Sequence, residues 1–249
     1  MHGVTKYKLR RATCQGGGRA TVTEEDRTYQ RARTREQKSQ RLDDILDATR
    51  SILNEGSYHD VTLSSIAERV GCSRANLSHY VGSKEEILLL LYIRSLREIL
   101  EDMRGIDAGS LDASSLEGLK AASAVLAAML ASHRDFGRLG ALLTSIIETN
   151  VRLECLVECK REIIAMMTEG SSLLIAWGLI DDSADSARFL MDLSDYASGL
   201  YPATHPLPIQ RAACEETGYP ILSYEESLRD FLTVQLVGYK ALREKRRDS

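Results

Sequence analysis

Apolar side chains recur three or four residues apart along most of this 249-residue chain, the spacing that places them on one face of an α-helix. The first such face runs from Leu42 to Leu53 and ends before Gly56. Further faces predict helices over residues 83–104, 115–133, 135–148, 152–177, 183–200 and 223–246. No stretch alternates apolar and polar residues as a half-buried strand does, so the pattern predicts an all-α fold.

A pair of short helices is predicted after the first one. Thr62 is a favourable N-cap residue, and the apolar positions that follow it share one helical face: Leu63, Ile66, Ala67 and Val70. Gly71 then predicts the end of this helix, because glycine accepts the left-handed conformation found there. Ser73 can cap a second helix that buries Leu77 and Val81.

The second short helix leaves a polar face outward. Its exposed residues are Arg74, Asn76, Ser78, His79 and Tyr80. Arginine and asparagine hydrogen-bond base edges, whereas serine, histidine and tyrosine reach phosphate oxygens. Two short helices joined by a glycine turn, with such a face, are typical of a helix-turn-helix whose second helix enters the DNA major groove. The alternative is that these two helices do not bind DNA and simply form a helix pair in an all-α core.

Charge is distributed unevenly along the chain. The formal net charge is −4, but residues 1–41 contain eleven Lys or Arg against four Asp or Glu. Basic charge is thus concentrated beside the helix-turn-helix, and the remaining residues form an acidic body. Residues 1–34 lack apolar periodicity, and we interpret them as a flexible basic arm that either contacts DNA or is merely solvated.

The residues from Arg41 to Leu91 resemble the N-terminal domain of the TetR/AcrR family of transcriptional regulators. The resemblance rests on an amphipathic helix ending in Gly56, on 61–67, on 70–73, on His79-Tyr80 and on 83–88. The chain departs from the family pattern at Ser78, usually an aromatic residue, and at Val81, usually Phe. Together with the polar face, the resemblance predicts these DNA contacts: Lys38, Thr62, Ser64, Ser73, Arg74, Asn76, Ser78, His79, Tyr80 and Lys84.

The resemblance also implies how the chain is divided. It predicts the basic arm over 1–34, a three-helix helix-turn-helix domain over 35–82, and a helical effector-binding and dimerisation domain over 83–249. The last two long helices are expected to form a homodimer interface through Leu190, Met191, Ser194, Ala197, Leu228, Phe231, Leu232 and Leu236. A dimer would present two second helices to a near-palindromic operator.

The body is expected to enclose a cavity for an unknown small-molecule effector that shifts the chain away from its DNA-binding conformation. Candidate lining residues are polar groups, and one tryptophan, inside otherwise apolar helices: His133, Arg138, Glu148, Asn150, Arg152 and Trp177. Each also has a structural interpretation, such as a helix cap or an ion pair. The resulting hypothesis is a homodimeric repressor that binds operator DNA and is released by the effector.

The sequence gives less support to other classes of function. We find no paired catalytic residues, phosphate loop or metal-ligand spacing, so no enzyme activity, cofactor or metal is expected. No membrane span or export signal is recognised, and a cytoplasmic location is expected. Cys155 and Cys159 share a helical face, which leaves a cysteine-based redox regulator as an alternative. A helical adaptor that binds protein instead of DNA is another.

Overall fold

The computed structural model describes residues 24–247, with side chains described for residues 36–242 and 244–246. All regular structure in this part of the chain is helical, as the pattern predicted. The α-helices are α1 (Glu24–Glu55), α2 (Leu63–Val70), α3 (Arg74–Leu77), α4 (Lys84–Gly105), α5 (Leu116–Ser132), α6 (Arg134–Leu142), α7 (Leu153–Ala176), α8 (Ser183–Thr204), α9 (Pro208–Thr217) and α10 (Tyr224–Arg247). From Leu42 onward the chain forms one compact unit.

The beginning of α1 differs from the predicted arm. The first 23 residues lie outside the described residues, but the part of the arm that is described, from Glu24 onward, is helical. This segment is rich in Arg, Glu and Gln, which favour helices without needing an apolar face. The predicted end of the helix, at Glu55 before Gly56, is confirmed. The division into arm, helix-turn-helix domain and body stays a prediction.

Helix α4 is the centre of the packing. Apolar side chains surround most of this helix, and Ile87, Leu88, Leu89, Leu91 and Ile93 are almost inaccessible. It packs on α6 and α7, while α6 and α7 both contact α8, and α10 packs against α5 and α8. The core runs without a break from α1 and α2 into these body helices. The helix-turn-helix is therefore attached to the body through a continuous apolar core.

The connection between α6 and α7 is irregular. A π-helical turn at Leu143–Ile147 and a 3-10 turn at Glu148–Asn150 join the two helices, so the helix predicted over 135–148 is α-helical only to Leu142. The π-helical turn contacts α4. Single π turns of this kind are often found at functional positions in helices.

The α8–α10 segment also differs from the prediction. The predicted helix ends at residue 200, but α8 passes Pro202 and ends at Thr204. A proline in the last turn removes one hydrogen bond, and Thr204 and His205 donate to the carbonyls of Leu200 and Tyr201. The additional helix α9 begins with Pro208 at its first position and buries none of its residues. An apolar pattern could not predict a helix without a buried face.

One buried carboxylate joins the end of the helix-turn-helix to the body. Glu86 in α4 has 2% relative exposure and accepts hydrogen bonds from the Gly82 N–H at 2.7 Å and from Arg152 Nε and Nη2 at 2.5 and 2.8 Å. A Cβ at residue 82 would lie 3.1 Å from both Glu86 carboxylate oxygens, so glycine permits this close approach. Ser83 adds a hydrogen bond to the Asn150 carbonyl.

The electrostatics of Glu86 follow from these contacts. Burial raises the pKa of Glu86, but the hydrogen bonds from Arg152 and Gly82 outweigh it, so the net pKa lies below its ordinary value of 4.5. A carboxyl whose folded-state pKa is lowered stabilises the fold above its unfolded-state pKa. That contribution is lost as pH falls through the folded-state pKa.

We expect Glu86→Gln to lower the free energy of unfolding by about 2 kcal/mol at pH 7, because charged hydrogen bonds to Gly82 and Arg152 are lost. The difference from the natural chain should shrink as pH falls below 4.5, where the natural carboxyl also becomes protonated. Thermal unfolding at matched protein concentration measures both effects. The exposed Glu225→Gln is the control and should change neither. Equal stability of Glu86→Gln and the natural chain at pH 7 would contradict this account.

Candidate nucleic-acid interface

Helix α2 is closed at both ends by the predicted caps. Thr62 Oγ1 accepts a hydrogen bond from the Ser65 N–H, and Ser65 Oγ accepts one from the Thr62 N–H, each at 3.0 Å. Gly71 has φ +72° and ends the helix in the left-handed conformation. The turn that leads to α3 is therefore fixed by local sequence, as predicted.

Helix α3 is shorter than the pattern suggested. Ser73 Oγ caps it by accepting from the Asn76 N–H at 3.1 Å, but the α-helical part ends at Leu77 and residues 78–80 form a turn. Ser78 Oγ donates to the Arg74 carbonyl, which a serine side chain does in competition with the regular helix ladder. Leu77 and Val81 are buried, as predicted.

The polar face of this segment is mostly exposed as predicted. Arg74, Asn76, Ser78 and His79 are exposed, and the Asn76 amide has no side-chain hydrogen bond within the described residues. Tyr80 was expected to face outward, but its side chain is half-buried and packs against the core. The reason is the early end of α3, because the turn at 78–80 directs residue 80 differently from a continuing helix.

The remaining predicted DNA contacts are mostly exposed. Thr62, Ser64 and Ser73 are exposed, although Thr62 and Ser73 also cap their helices. Lys84 is half-buried, and its Nζ lies 3.9 Å from the centroid of the Tyr58 ring, a cation–π contact. Lys38 is exposed on α1.

Two neighbouring residues that sequence reasoning missed complete this surface. The Tyr58 ring contacts Lys84 Nζ, and the Tyr58 hydroxyl donates a hydrogen bond to Glu85 Oε1 at 2.9 Å. Burial and this carboxylate raise the pKa of Tyr58 to about 12. Arg69 is a basic residue in α2, but Glu55 holds its guanidinium with two contacts of 2.5 and 2.6 Å. The contacts of Tyr58 with Lys84 and Glu85, and of Arg69 with Glu55, join different helices. No residue spacing in the sequence indicates them.

The predicted effector residues do not converge on one cavity. They hold separate structural contacts: His133 with Asp102, Arg138 with the Leu53 carbonyl, Glu148 with Lys160, Asn150 with the Ile146 carbonyl, and Arg152 with Glu86. Trp177 is buried with 7% relative exposure. Of the six, His133 lines a polar cleft of about 190 Å³ in the described part of the chain. Five of the six residues thus hold contacts within the fold, and an effector pocket lined by the six stays a prediction.

The predicted interface residues also divide into two groups. Ala197, Leu228, Leu232 and Leu236 have 0% relative exposure and belong to the core of the single chain, and the interface itself stays a prediction. Met191 is exposed, and Leu190, Ser194 and Phe231 are partly exposed. An apolar helical face does not reveal whether its neighbour is the same chain or a second copy, which is why the two groups were predicted together.

The buried cysteines on α7 are poorly suited to redox sensing. Cys155 and Cys159 are both buried, and their thiols contact each other. The hydrogen bond with Cys159 and burial raise the pKa of Cys155, so little thiolate is available to react. Within the described residues, no three His, Cys, Asp or Glu side chains form a group that could hold a metal ion.

Two family models match the chain. Residues 45–91 match the model described as "Bacterial regulatory proteins, tetR family", and residues 94–243 match "Tetracyclin repressor-like, C-terminal domain". The second match alone spans more than half of the chain. The chain belongs to the TetR family. Proteins of this family are generally DNA-binding regulators rather than enzymes, and this TetR-family chain is a DNA-binding transcriptional regulator.

Several solved structures are similar to this TetR-family chain. A TetR/AcrR-family regulator from Thermobifida fusca is 20% identical with a TM-score of 0.50, covering 82% of this chain and 98% of its own. A putative TetR-family regulator from Mesorhizobium loti is 17% identical, with a TM-score of 0.47 and coverage of 82% and 97%. FadR from Bacillus subtilis, solved with stearoyl-CoA, is 18% identical, with a TM-score of 0.45 and coverage of 76% and 96%. No curated protein matches the chain.

None of the helices in the described part of the chain combines the length and apolarity needed to cross a bilayer.

The turn between α2 and α3 gives a direct test of this geometry. We expect Gly71→Ala to lower the free energy of unfolding by about 1 kcal/mol, because an alanine is strained at φ +72° although no atom lies within 4 Å of its Cβ. Gly105→Ala, at a helical position that is equally open, is the matched control and should be neutral or slightly stabilising. Thermal or denaturant unfolding measures both variants. Equal effects of the two substitutions would show that the turn does not need its glycine.

Proposed function

We propose that this TetR-family chain is a homodimeric repressor that binds a near-palindromic operator and is released from it by a small-molecule effector. We also propose that it acts without catalysis. The observation that carries the DNA-binding part is the exposed polar face of 74–79, held in place by the buried side chains of Leu77 and Val81.

Base recognition is assigned to Arg74 and Asn76. Both side chains are exposed on the short helix that follows the turn, and within the described residues neither donates a side-chain hydrogen bond. An arginine can donate two hydrogen bonds to guanine, and an asparagine can exchange two with adenine in the major groove. Exposed groups without competing bonds can adopt these geometries at low cost.

Phosphate contacts are assigned to the other predicted DNA-binding residues: Lys38, Thr62, Ser64, Ser73, Ser78, His79, Tyr80 and Lys84. Lys84 stands at the start of the long helix α4, where the helix dipole also favours a negative group. Residues 42–249 carry a net charge of −11. Residues 1–41 carry +7, so the basic charge that favours DNA lies in the segment that precedes the helix-turn-helix in the sequence, and the acidic surfaces of 42–249 disfavour contact with phosphates.

The homodimer is assigned to the outer faces of α8 and α10. Phe189 packs edge-on to Tyr239, and Tyr196 stacks on Phe231, so the two helices run antiparallel. Met191 on α8 and Val234 on α10 are exposed by 53% and 70%, although large apolar side chains are usually covered. A second copy packing on this surface would cover them and form a two-fold four-helix bundle.

Repression and release are supported by the body. The match to a "Tetracyclin repressor-like" domain favours a repressor over an activator. The Glu86–Arg152 contact and the irregular α6–α7 connection join the body to the start of α4. An effector that favours another arrangement of this connection would shift the helix-turn-helix and lower the DNA affinity by population shift.

The two assigned roles on DNA can be separated by substitution. Asn76→Ala should relax the preference at one position of each half-site by about 1–3 kcal/mol, because one bidentate base contact is lost. Lys84→Ala should weaken binding to all sequences equally and lower the salt slope by about one. Selection of random duplexes followed by affinity measurements at several salt concentrations tests both. Arg161→Ala, an exposed basic residue on α7, is the control. An unchanged sequence preference in Asn76→Ala would refute the assigned face.

The dimer surface has its own test. Replacing Met191 and Val234 together by Glu should halve the mass measured by light scattering, because two like charges would be buried from each copy. Ile164→Glu changes an apolar residue of α7 with 64% exposure and should leave the mass unchanged. A double variant with the same mass as the natural dimer would place the interface elsewhere.

A further inference from the structure

A polar cleft of about 190 Å³ lies where α1, α4 and the α5–α6 junction meet. It is smaller than the pockets that hold drug-sized ligands, so its occupant must be small. Its lining is almost entirely polar. A bound molecule would contact both α1, the helix before the helix-turn-helix, and the body helices. The lining residues are Arg50, Asn54, Ser95, Glu98, Ser132, His133, Arg134 and Asp135.

Part of this lining is already committed to the fold. Arg50 Nε donates to Asp135 Oδ2 at 2.5 Å, and its Nη1 and Nη2 donate to the two Glu98 oxygens at 3.0 and 2.8 Å. His133 Nε2 lies 2.7 Å from Asp102 Oδ2. Glu98 and Asp135 therefore share the Arg50 guanidinium, and Glu98 Oε1 also lies 3.9 Å from Arg94 Nε.

Other lining groups are left without partners. Ser95 has 1% relative exposure, and its hydroxyl is buried without any hydrogen bond. Buried hydroxyls are nearly always hydrogen-bonded, so an unpaired one that lines a cleft points to an absent partner. Arg134 and Asn54 are exposed at the rim, and their side chains make no hydrogen bond within the described residues.

The arrangement of charges selects the class of ligand. An apolar molecule would leave the Ser95 hydroxyl unpaired and cover charged groups, which is costly. A simple anion would face the carboxylates of Glu98 and Asp135. A metal ion would have to displace Arg50 from these carboxylates, whereas an ammonium group can donate to their remaining lone pairs while Arg50 stays bound. A molecule with one charge of each sign satisfies both sides: its cation meets the carboxylates, and its anion meets Arg134 and Asn54.

We propose that this cleft binds a free α-amino acid. The ammonium group lies against Glu98 and Asp135, the carboxylate is held by Arg134 with Asn54, and Ser95 supplies a further hydrogen bond. Arg134 holds the carboxylate best because its guanidinium can donate two parallel hydrogen bonds. The proposal that an amino acid binds is argued from the cleft alone. The further proposal that this amino acid is the effector rests on the proposed function.

The test is isothermal titration calorimetry of the full-length protein with each standard L-amino acid as the probe. At least one should bind, and its N-acetyl and carboxamide derivatives should bind about tenfold more weakly, because each lacks one charged group. Arg134→Gln should lower the affinity about tenfold and Ser95→Ala about fivefold. Arg161→Gln is the control and should bind as the natural chain does. Because the Ser95 hydroxyl has no partner, Ser95→Ala should keep its unfolding temperature.

Amino-acid binding tests the cleft proposal, and DNA binding tests the proposed function. If no amino acid binds, or if both derivatives and both variants bind as well as the originals, the cleft proposal is overturned. Salt-dependent binding of selected duplex DNA, measured on the same protein without amino acid, reports on the proposed function separately. A protein that binds DNA but no amino acid would overturn the cleft alone. One that binds an amino acid but no DNA would overturn the proposed function and leave the cleft supported.

Discussion

The buried carboxylate of Glu86 is the contact on which the arrangement of this protein depends. It lies in the first turn of α4, where the helix-turn-helix ends and the body begins. It holds the Gly82 N–H on one side and the Arg152 guanidinium on the other. Burying a charge is tolerable only when its oxygens are hydrogen-bonded, and here both are. Because Arg152 starts α7, the position of the DNA-binding segment is set by the body and not only by its own short helices.

The same constraint explains why two very short helices can form a defined surface. Helices α2 and α3 have eight and four residues, too few to be stable alone in water. Their stability comes from end caps and from apolar contacts with α1 and α4, through Ile66, Leu77 and Val81. Polar side chains on the opposite side are then exposed without having to stabilise the fold.

Sequence reasoning succeeded where the signal is local. The caps at Thr62 and Ser73 and the left-handed Gly71 depend on neighbouring residues, and all three were predicted. It failed where partners are distant in the chain. The bonds of Arg138 to Leu53 and of Arg152 to Glu86 join residues 85 and 66 positions apart, and nothing in either segment signals them. Likewise, apolar periodicity could not distinguish Leu232, buried in its own chain, from Met191, exposed on the surface.

The central claim is that the segment around α3 enters the major groove, and chemical protection of bound DNA tests it most directly. Dimethyl sulfate methylates guanine N7 in the major groove and adenine N3 in the minor groove. On a selected duplex we expect guanine N7 protection in two half-sites about 10 base pairs apart or a multiple of this, with adenine N3 unprotected between them. Protection confined to adenine N3, or no protection at saturating protein, would contradict the account.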